Sequence, residues 1–199
     1  DLRDIFKEKL DLHHIPALNN VLYNEYILFP IADFYLKKER WNEAIEVYEE
    51  METIGALKGR GAEYYQKLGY ALQKNKKYAE AIDAYLKADT LKPDNIWNNR
   101  HLAICYRLNR NYQAALSYYK KVEEATPEST NVIFHIGSCL AELGQYEEAA
   151  NYFFKLDFIE SNCIKAWRGI GWCSFISRKY EQAMKYYEKI IGQKPDRKS

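Results

Sequence analysis

The residues best suited to metal or thiol chemistry in this sequence are its cysteines, but their spacing favours a structural role. Cys105, Cys139 and Cys173 lie 34 residues apart, which places them at one position of three similar helices. Packed helix axes lie about 8–10 Å apart, whereas a disulfide needs Cα atoms within about 7 Å. The chain also lacks a Cys-x-x-Cys pair of the kind that holds zinc. We therefore predict that these three cysteines are small, reduced core residues and that the chain binds no metal.

Histidine, the commonest catalytic base, recurs at the same interval. His101 and His135 are 34 residues apart, and neither has a third metal ligand or an adjacent nucleophile beside it. We interpret them as polar lining of a surface groove. Gly55, Gly59 and Gly61 lack the Lys-Ser/Thr that follows a phosphate-binding loop. We expect no catalytic residue, no cofactor and no enzymatic activity.

The interval of 34 residues extends along most of the sequence. It is marked by four alanines, each with an aromatic residue three positions before it and another four positions after it: Ala81, Ala115, Ala149 and Ala183. Twelve positions before each alanine stands a small residue: Gly69, Ala103, Gly137 and Gly171. A helix alone repeats over three or four residues, so an echo at 34 indicates one supersecondary unit copied along the chain.

This pattern resembles the tetratricopeptide repeat family, whose repeat is a hairpin of two helices. The pattern is fullest in repeat 164–197, with Trp167, Ile170, Gly171, Ala183, Tyr187 and Pro195. The resemblance implies an all-α fold, an α-solenoid of stacked antiparallel helix hairpins in a right-handed superhelix. It divides the chain into an N-terminal lead-in helical segment, 1–24, and a repeat domain, 25–199, with repeats 25–61, 62–95, 96–129, 130–163 and 164–197.

The residues of each unit predict helices without the resemblance. Apolar residues recur at helical spacing, as at Tyr65, Leu68 and Leu72, and no long stretch alternates with the period of a strand. Small residues let the two helices of a unit approach closely, and the aromatic residues fill the seam between units. Pro30 lies inside the first helix of repeat 25–61, so we predict a kink or break near Phe29.

Composition narrows the classes of partner. The chain has 29 basic and 28 acidic residues, and this balance disfavours nucleic acids and anionic membranes, which attract proteins with surplus positive charge. No run of 18 apolar residues predicts a transmembrane helix. The sequence begins with Asp1 and has no signal-peptide layout. We expect a segment of a longer protein or a processed form, located in the cytoplasm.

The resemblance also implies where a partner binds, because the first helices of such repeats line a concave groove. The groove-facing positions combine six basic residues with two acidic ones, and with large aromatic residues that packing does not require there. We predict a peptide-binding groove formed by Tyr70, Trp97, Arg100, His101, Ile104, Phe134, His135, Lys165, Arg168 and Trp172. Trp and Arg are frequent binding hot spots. The expected partner is a protein or peptide, acidic and with apolar anchors.

One known ligand mode of the family is matched only in part. This is the carboxylate clamp, which grips the acidic C-terminal tail of cytosolic chaperones. Arg100 and Lys165 match two of its basic positions. Ile104 and His135 stand where the clamp needs asparagine, and Gly169 replaces a basic residue. The sequence therefore does not predict binding of chaperone tails.

Three functions are open at this point. The leading one is a protein–protein interaction scaffold that binds a peptide segment in the groove of the solenoid. An alternative is a regulatory or targeting segment of a larger enzyme or sensor protein. A third is weak self-association through the C-terminal repeat, where Tyr186, Ile190 and Ile191 lack an evident capping helix.

Overall fold

Two helices fall within each predicted repeat. The computed structural model describes residues 27–54 and 60–192, and these ranges contain ten α-helices and no strand. The helices are α1 (Phe29–Lys37), α2 (Trp41–Ile54), α3 (Gly61–Lys74), α4 (Tyr78–Leu91), α5 (Ile96–Leu108), α6 (Tyr112–Ala125), α7 (Thr130–Glu142), α8 (Tyr146–Ile159), α9 (Ile164–Ile176) and α10 (Tyr180–Gly192). The predicted all-α fold of successive helix pairs is confirmed. The predicted lead-in segment 1–24 lies outside the described residues.

The chain divides into two compact units, residues 1–105 and 106–199, with the boundary inside α5. In unit 1, α1 packs on α2, α2 on α3 and α3 on α4. In unit 2, each helix from α6 to α9 packs on its successor, and α7 also contacts α9. The contact between α7 and α9 joins the first helices of two neighbouring repeats. Stacked hairpins bury in this way the apolar face that a single hairpin leaves open.

The first described helix begins where a break was predicted. The helix α1 starts at Phe29 and has Pro30 in its first turn. Proline suits this position because the first backbone N–H groups of a helix have no partner within the helix. Within the described residues, no helix is both long enough and apolar enough to cross a membrane.

The turn inside each repeat has the same backbone geometry. One turn residue has a φ between 56° and 78° in all five repeats: Glu39, Lys76, Arg110, Gly144 and Arg178. In repeat 62–95 the N–H of Lys76 donates to the carbonyl of Gln73 at 3.1 Å, and that of Lys77 to Leu72 at 2.9 Å. These paired bonds form a Schellman cap, and the other repeats have the same pair. Glycine is favoured at such a position, yet only the fourth of these five turns has it.

An aromatic ring of each second helix fills the space beside the small residue of its own repeat. A Cβ added at Gly69 would lie 2.8 Å from Cε1 of Tyr85, which is too close for a side chain in a packed interior. The same pairing joins Gly137 to Phe153 and Gly171 to Tyr187, each with a closest approach of 3.0 Å. The predicted close approach at the small positions is confirmed, and the ring that requires it is identified.

The same ring also contacts the sixth position of the following repeat. Tyr85 stacks on His101 with ring centroids 5.7 Å apart. Tyr119 stacks on His135 at 5.4 Å. One aromatic residue therefore holds its own hairpin together and joins that hairpin to the next one.

The repeated cysteines lie in the core, as predicted. Cys105, Cys139 and Cys173 are at most 1% exposed, and all four cysteines of the chain have free thiols. Burial raises the pKa of Cys105 to about 12 and those of Cys139 and Cys173 to about 11. The reactive thiolate form is therefore disfavoured at neutral pH.

Replacing Gly144 with alanine tests the turn conformation alone. No atom lies within 4 Å of the added Cβ, so any loss comes from the φ of +78°. We expect the free energy of unfolding, measured by urea denaturation, to fall by about 1 kcal/mol. The control is Arg110→Ala at the same turn position one repeat earlier, where we expect a change within about 0.5 kcal/mol. Equal losses in both variants would contradict this account of the turns.

Replacing Gly69 with alanine tests the contact with the aromatic ring. Alanine favours a helix over glycine by about 1 kcal/mol, but overpacking a core costs about 1–3 kcal/mol. We expect a net loss of thermal stability, part of which the second change Tyr85→Leu should recover. The control is Gly192→Ala, where the added Cβ meets no atom within 4 Å. A Gly69→Ala variant more stable than the parent would exclude the proposed close contact.

Candidate functional site

The ten predicted groove residues fall into two sets, one in each unit. Unit 1 holds Tyr70, Trp97, Arg100, His101 and Ile104, and unit 2 holds Phe134, His135, Lys165, Arg168 and Trp172. All ten lie on the first helices of their repeats, which are α3 and α5 in unit 1 and α7 and α9 in unit 2. Each set is a candidate site of its own unit.

In unit 1 the predicted aromatic residues pack against one another. The rings of Trp97 and His101 have centroids 4.0 Å apart, and Tyr70 meets His101 edge-on at 5.7 Å. Trp41 of α2, which the sequence analysis missed, contacts Tyr70 at 6.0 Å. The prediction that packing does not need these rings is therefore wrong in unit 1. Trp97 is nevertheless 43% exposed and keeps a surface for a partner.

His101 belongs to this packing rather than to a purely polar lining. Its Nδ1 lies 2.7 Å from Oε1 of Gln73, which also accepts a hydrogen bond from the hydroxyl of Tyr85 at 3.1 Å. Because an amide oxygen can only accept, Nδ1 carries the proton. Burial, together with the charges of Arg100 and Lys74, lowers the pKa of His101 to about 4. The imidazole is therefore neutral at pH 7.

The positive charge of unit 1 is smaller than the sequence predicted. Lys67, counted among the six groove cations, pairs with Asp33 at 2.7 Å and with Glu63 at 3.0 Å. Arg100 is half-buried, and its Nε has no hydrogen-bond partner among the described residues. Ile104 is also half-buried. Unit 1 thus offers one exposed aromatic face beside one arginine.

Unit 2 contains a groove of about 510 Å³ between α7 and α9. Four of the five predicted residues of this unit line it: Phe134, Lys165, Arg168 and Trp172. The remaining lining residues are Ser138, Ala141, Glu142, Phe153, Gly169 and Tyr187. The structure therefore brings together aromatic and basic side chains from two neighbouring repeats.

The fifth predicted residue of unit 2, His135, does not line this groove. It stacks on Tyr119, and burial, with the charges of Arg107 and Lys165, lowers its pKa to about 4. Among residues 27–54 and 60–192, no group of three or more His, Cys, Asp and Glu side chains could hold a metal ion.

The missing side chain at Gly169 shapes the floor of the groove. A Cβ at this position would lie 2.6 Å from the ring of Phe153. In the preceding repeat the equivalent position holds His135, which stacks on Tyr119. In the last repeat the ring of Phe153 itself takes the space beside the backbone of α9. The basic residue that a carboxylate clamp needs at this position would collide with that ring.

The rim of the groove is basic and its walls are aromatic. Nζ of Lys165 lies 6.0 Å from the ring centroid of Phe134, and Trp172, which is 41% exposed, packs edge-on against Tyr146 at 5.5 Å. Lys165 and Arg168 are exposed. Neither forms an ion pair with any carboxylate in the described part of the chain. An acidic ligand can therefore approach both cations.

The two histidines predict how stability depends on pH. Their folded-state pKa values of about 4 lie below the ordinary value of 6.5, so the unfolded chain takes up these protons first. Stability should therefore be lost as pH falls from 6.5 toward 4. We expect the double variant His101→Asn/His135→Asn to show a shallower fall in its urea midpoint between these pH values. An unchanged slope would show that the two imidazoles do not titrate as described.

Models of known families match most of the chain. A tetratricopeptide repeat model matches residues 62–95 and 164–197, and a second model of the same description matches residues 28–55. The model of anaphase-promoting complex, cyclosome, subunit 3 matches residues 90–156. Together the matches reach all five predicted repeats. A search among curated proteins finds no significant match to the chain.

Solved structures of MamA have a similar fold. The structure "MamA MSR-1 C2" is 24% identical with a TM-score of 0.73, and the match covers 84% of this chain and 94% of that one. "MamA AMB-1 C2221" is 22% identical with a TM-score of 0.73, covering 88% and 99%. "Crystal structure of MamA protein" is 20% identical with a TM-score of 0.74, covering 85% and 91%. At these identities the likeness concerns the fold alone.

Proposed function

The chain belongs to the tetratricopeptide repeat family, and we propose that it is a protein-interaction scaffold whose partner binds as a peptide segment along the first helices of its repeats. One observation carries this proposal. The groove of unit 2 joins the aromatic walls Phe134 and Trp172 to the cations Lys165 and Arg168. Burial of an aromatic or aliphatic anchor and charge-assisted hydrogen bonds to a carboxylate are the two kinds of contact that this combination favours.

The ligand that suits this groove is a short acidic segment with a large apolar side chain. The apolar side chain would enter between Phe134 and Trp172, above the ring of Phe153. Its neighbouring carboxylates would meet Lys165 and Arg168. In unit 1, the exposed face of Trp97 beside Arg100 offers the same two kinds of contact on a smaller scale. We propose no reaction, since the described part of the chain places no base beside a nucleophile.

The change Trp172→Ala tests the groove of unit 2. The probe is a set of peptides selected from a random displayed library against the 199-residue chain. We expect the selected peptides to be acidic and Trp172→Ala to weaken them by about 2 kcal/mol or more, about thirtyfold in Kd. The matched control is Phe175→Ala, which removes a ring of α9 that is 53% exposed and lies outside the groove lining. Equal binding by the parent and the Trp172 variant would place the peptide elsewhere.

The cations are tested by the double change Lys165→Glu/Arg168→Glu. We expect it to slow association of the same peptides and to remove most of the salt dependence, because rim charges act mainly on the association rate. Lys179→Glu, in the turn before α10, is the control for net charge. Peptides without acidic residues, or a salt dependence that survives the double change, would rule out the acidic ligand.

A further inference from the structure

One face of α10 carries an apolar stripe that the described residues leave uncovered. Tyr180, Met184, Tyr187 and Ile191 follow one another at intervals of four, three and four residues. This spacing places them on one side of the helix and is the spacing of a coiled-coil seam. Their exposed fractions are 55%, 61%, 36% and 66%. No other described helix has four large apolar residues so exposed along one face.

The equivalent positions of earlier repeats are buried. Leu116, at the position of Met184, is 6% exposed. Tyr119 and Phe153, at the position of Tyr187, are 1% and 3% exposed. In those repeats the first helix of the next repeat lies on this face, as α7 lies on α6 and α9 lies on α8. The stripe of α10 is thus the same type of surface without a neighbour in the described part of the chain.

At one position the stripe differs from the surface that receives a further repeat. Where Ile191 stands, the three preceding repeats have an acid: Asp89, Glu123 and Asp157. Asp157 accepts a hydrogen bond from Nε1 of Trp167 in the first helix of the next repeat, at 2.6 Å. Isoleucine cannot accept such a bond. The last position of the stripe therefore suits an apolar neighbour rather than another copy of that polar contact.

We infer that the stripe is an interface between two copies of this chain, in which the two α10 helices pair antiparallel. The intervals of four, three and four read the same in both directions, so the stripe is complementary to its own reverse. Antiparallel pairing sets Ile191 opposite Tyr180 of the second copy, and Met184 opposite Tyr187 of the second copy. Such a contact obeys a twofold axis and closes as a dimer.

The charges beside the stripe set how strong this dimer is. Glu181 and Glu188 are exposed residues that follow Tyr180 and Tyr187 directly. In the antiparallel pair they flank the same side of the seam and face each other across it. Their repulsion weakens the dimer, and added salt screens it. Self-association should therefore strengthen with salt, whereas binding of an acidic peptide in the groove should weaken.

Sedimentation of the 199-residue chain tests the inference. We expect reversible dimerisation in the micromolar range or above, stronger in high salt. Ile191→Lys and Tyr180→Glu should each raise the dimer Kd at least about tenfold, because each change occurs twice in the dimer. The control Lys185→Gln changes an exposed residue of α10 outside the stripe and should leave Kd unchanged. A monomer at all concentrations, or a dimer indifferent to both stripe variants, would overturn the inference.

Mixing the two stripe variants tests the antiparallel arrangement. In a mixed dimer, Lys at position 191 of one copy faces Glu at position 180 of the other, and the second end keeps the native contact of Tyr180 with Ile191. We expect the mixture to dimerise more tightly than either variant alone. Parallel helices would set Ile191 against Ile191 and give no such recovery, which would exclude the antiparallel pair. Circular dichroism checks that each variant remains folded, and Trp172→Ala, a groove variant, should dimerise like the parent.

Discussion

A single aromatic ring in each repeat packs against two neighbours at once, and the stacking of repeats depends on it. Tyr85 lies against Gly69 of its own hairpin and stacks on His101 of the next. Burial of such a ring contributes about 1.5–3 kcal/mol, but the geometry matters more than the area. The ring fits only where the opposite helix has almost no side chain, which explains the small residue at the same position of every repeat.

This constraint also produces the groove of unit 2. Phe153 lies against Gly137 on one side and Gly169 on the other, so glycine backbone borders the ring in two consecutive repeats. With no side chain at Gly169, the space between α7 and α9 remains open above the ring. The cations at its rim have no carboxylate partner in the described part of unit 2. Packing and the proposed peptide site therefore share one residue.

The sequence could predict what recurs in phase. Ten helices, the close approach at Gly69 and the buried position of Cys139 follow from residue types that return at the same interval. The positive φ of the turns could not be predicted, because residues such as Arg110 stand where glycine would announce it. Contacts between repeats were also missed, since the interval does not show which side chains meet. The ion pair of Lys67 with Asp33 is one such contact.

For the candidate site, the sequence located four lining residues of the groove but not its floor. The family pattern names the positions that face the groove, and it gives no depth to them. His135 stands at a groove-facing position yet turns to stack on Tyr119. A signal for the floor was present, because Gly169 breaks a column that holds His101 and His135 in the two preceding repeats. Its meaning required the position of the Phe153 ring.

Hydrogen exchange on Phe153→Ala tests most directly whether one ring couples neighbouring repeats. Removing a buried phenylalanine costs about 3–5 kcal/mol, and the account predicts that amides of α7 and α9 lose protection together with those of α8. The matched control is Phe158→Ala on the same helix, where the ring is 90% exposed and protection should not change. Faster exchange confined to α8, or equal effects of the two changes, would contradict the central claim.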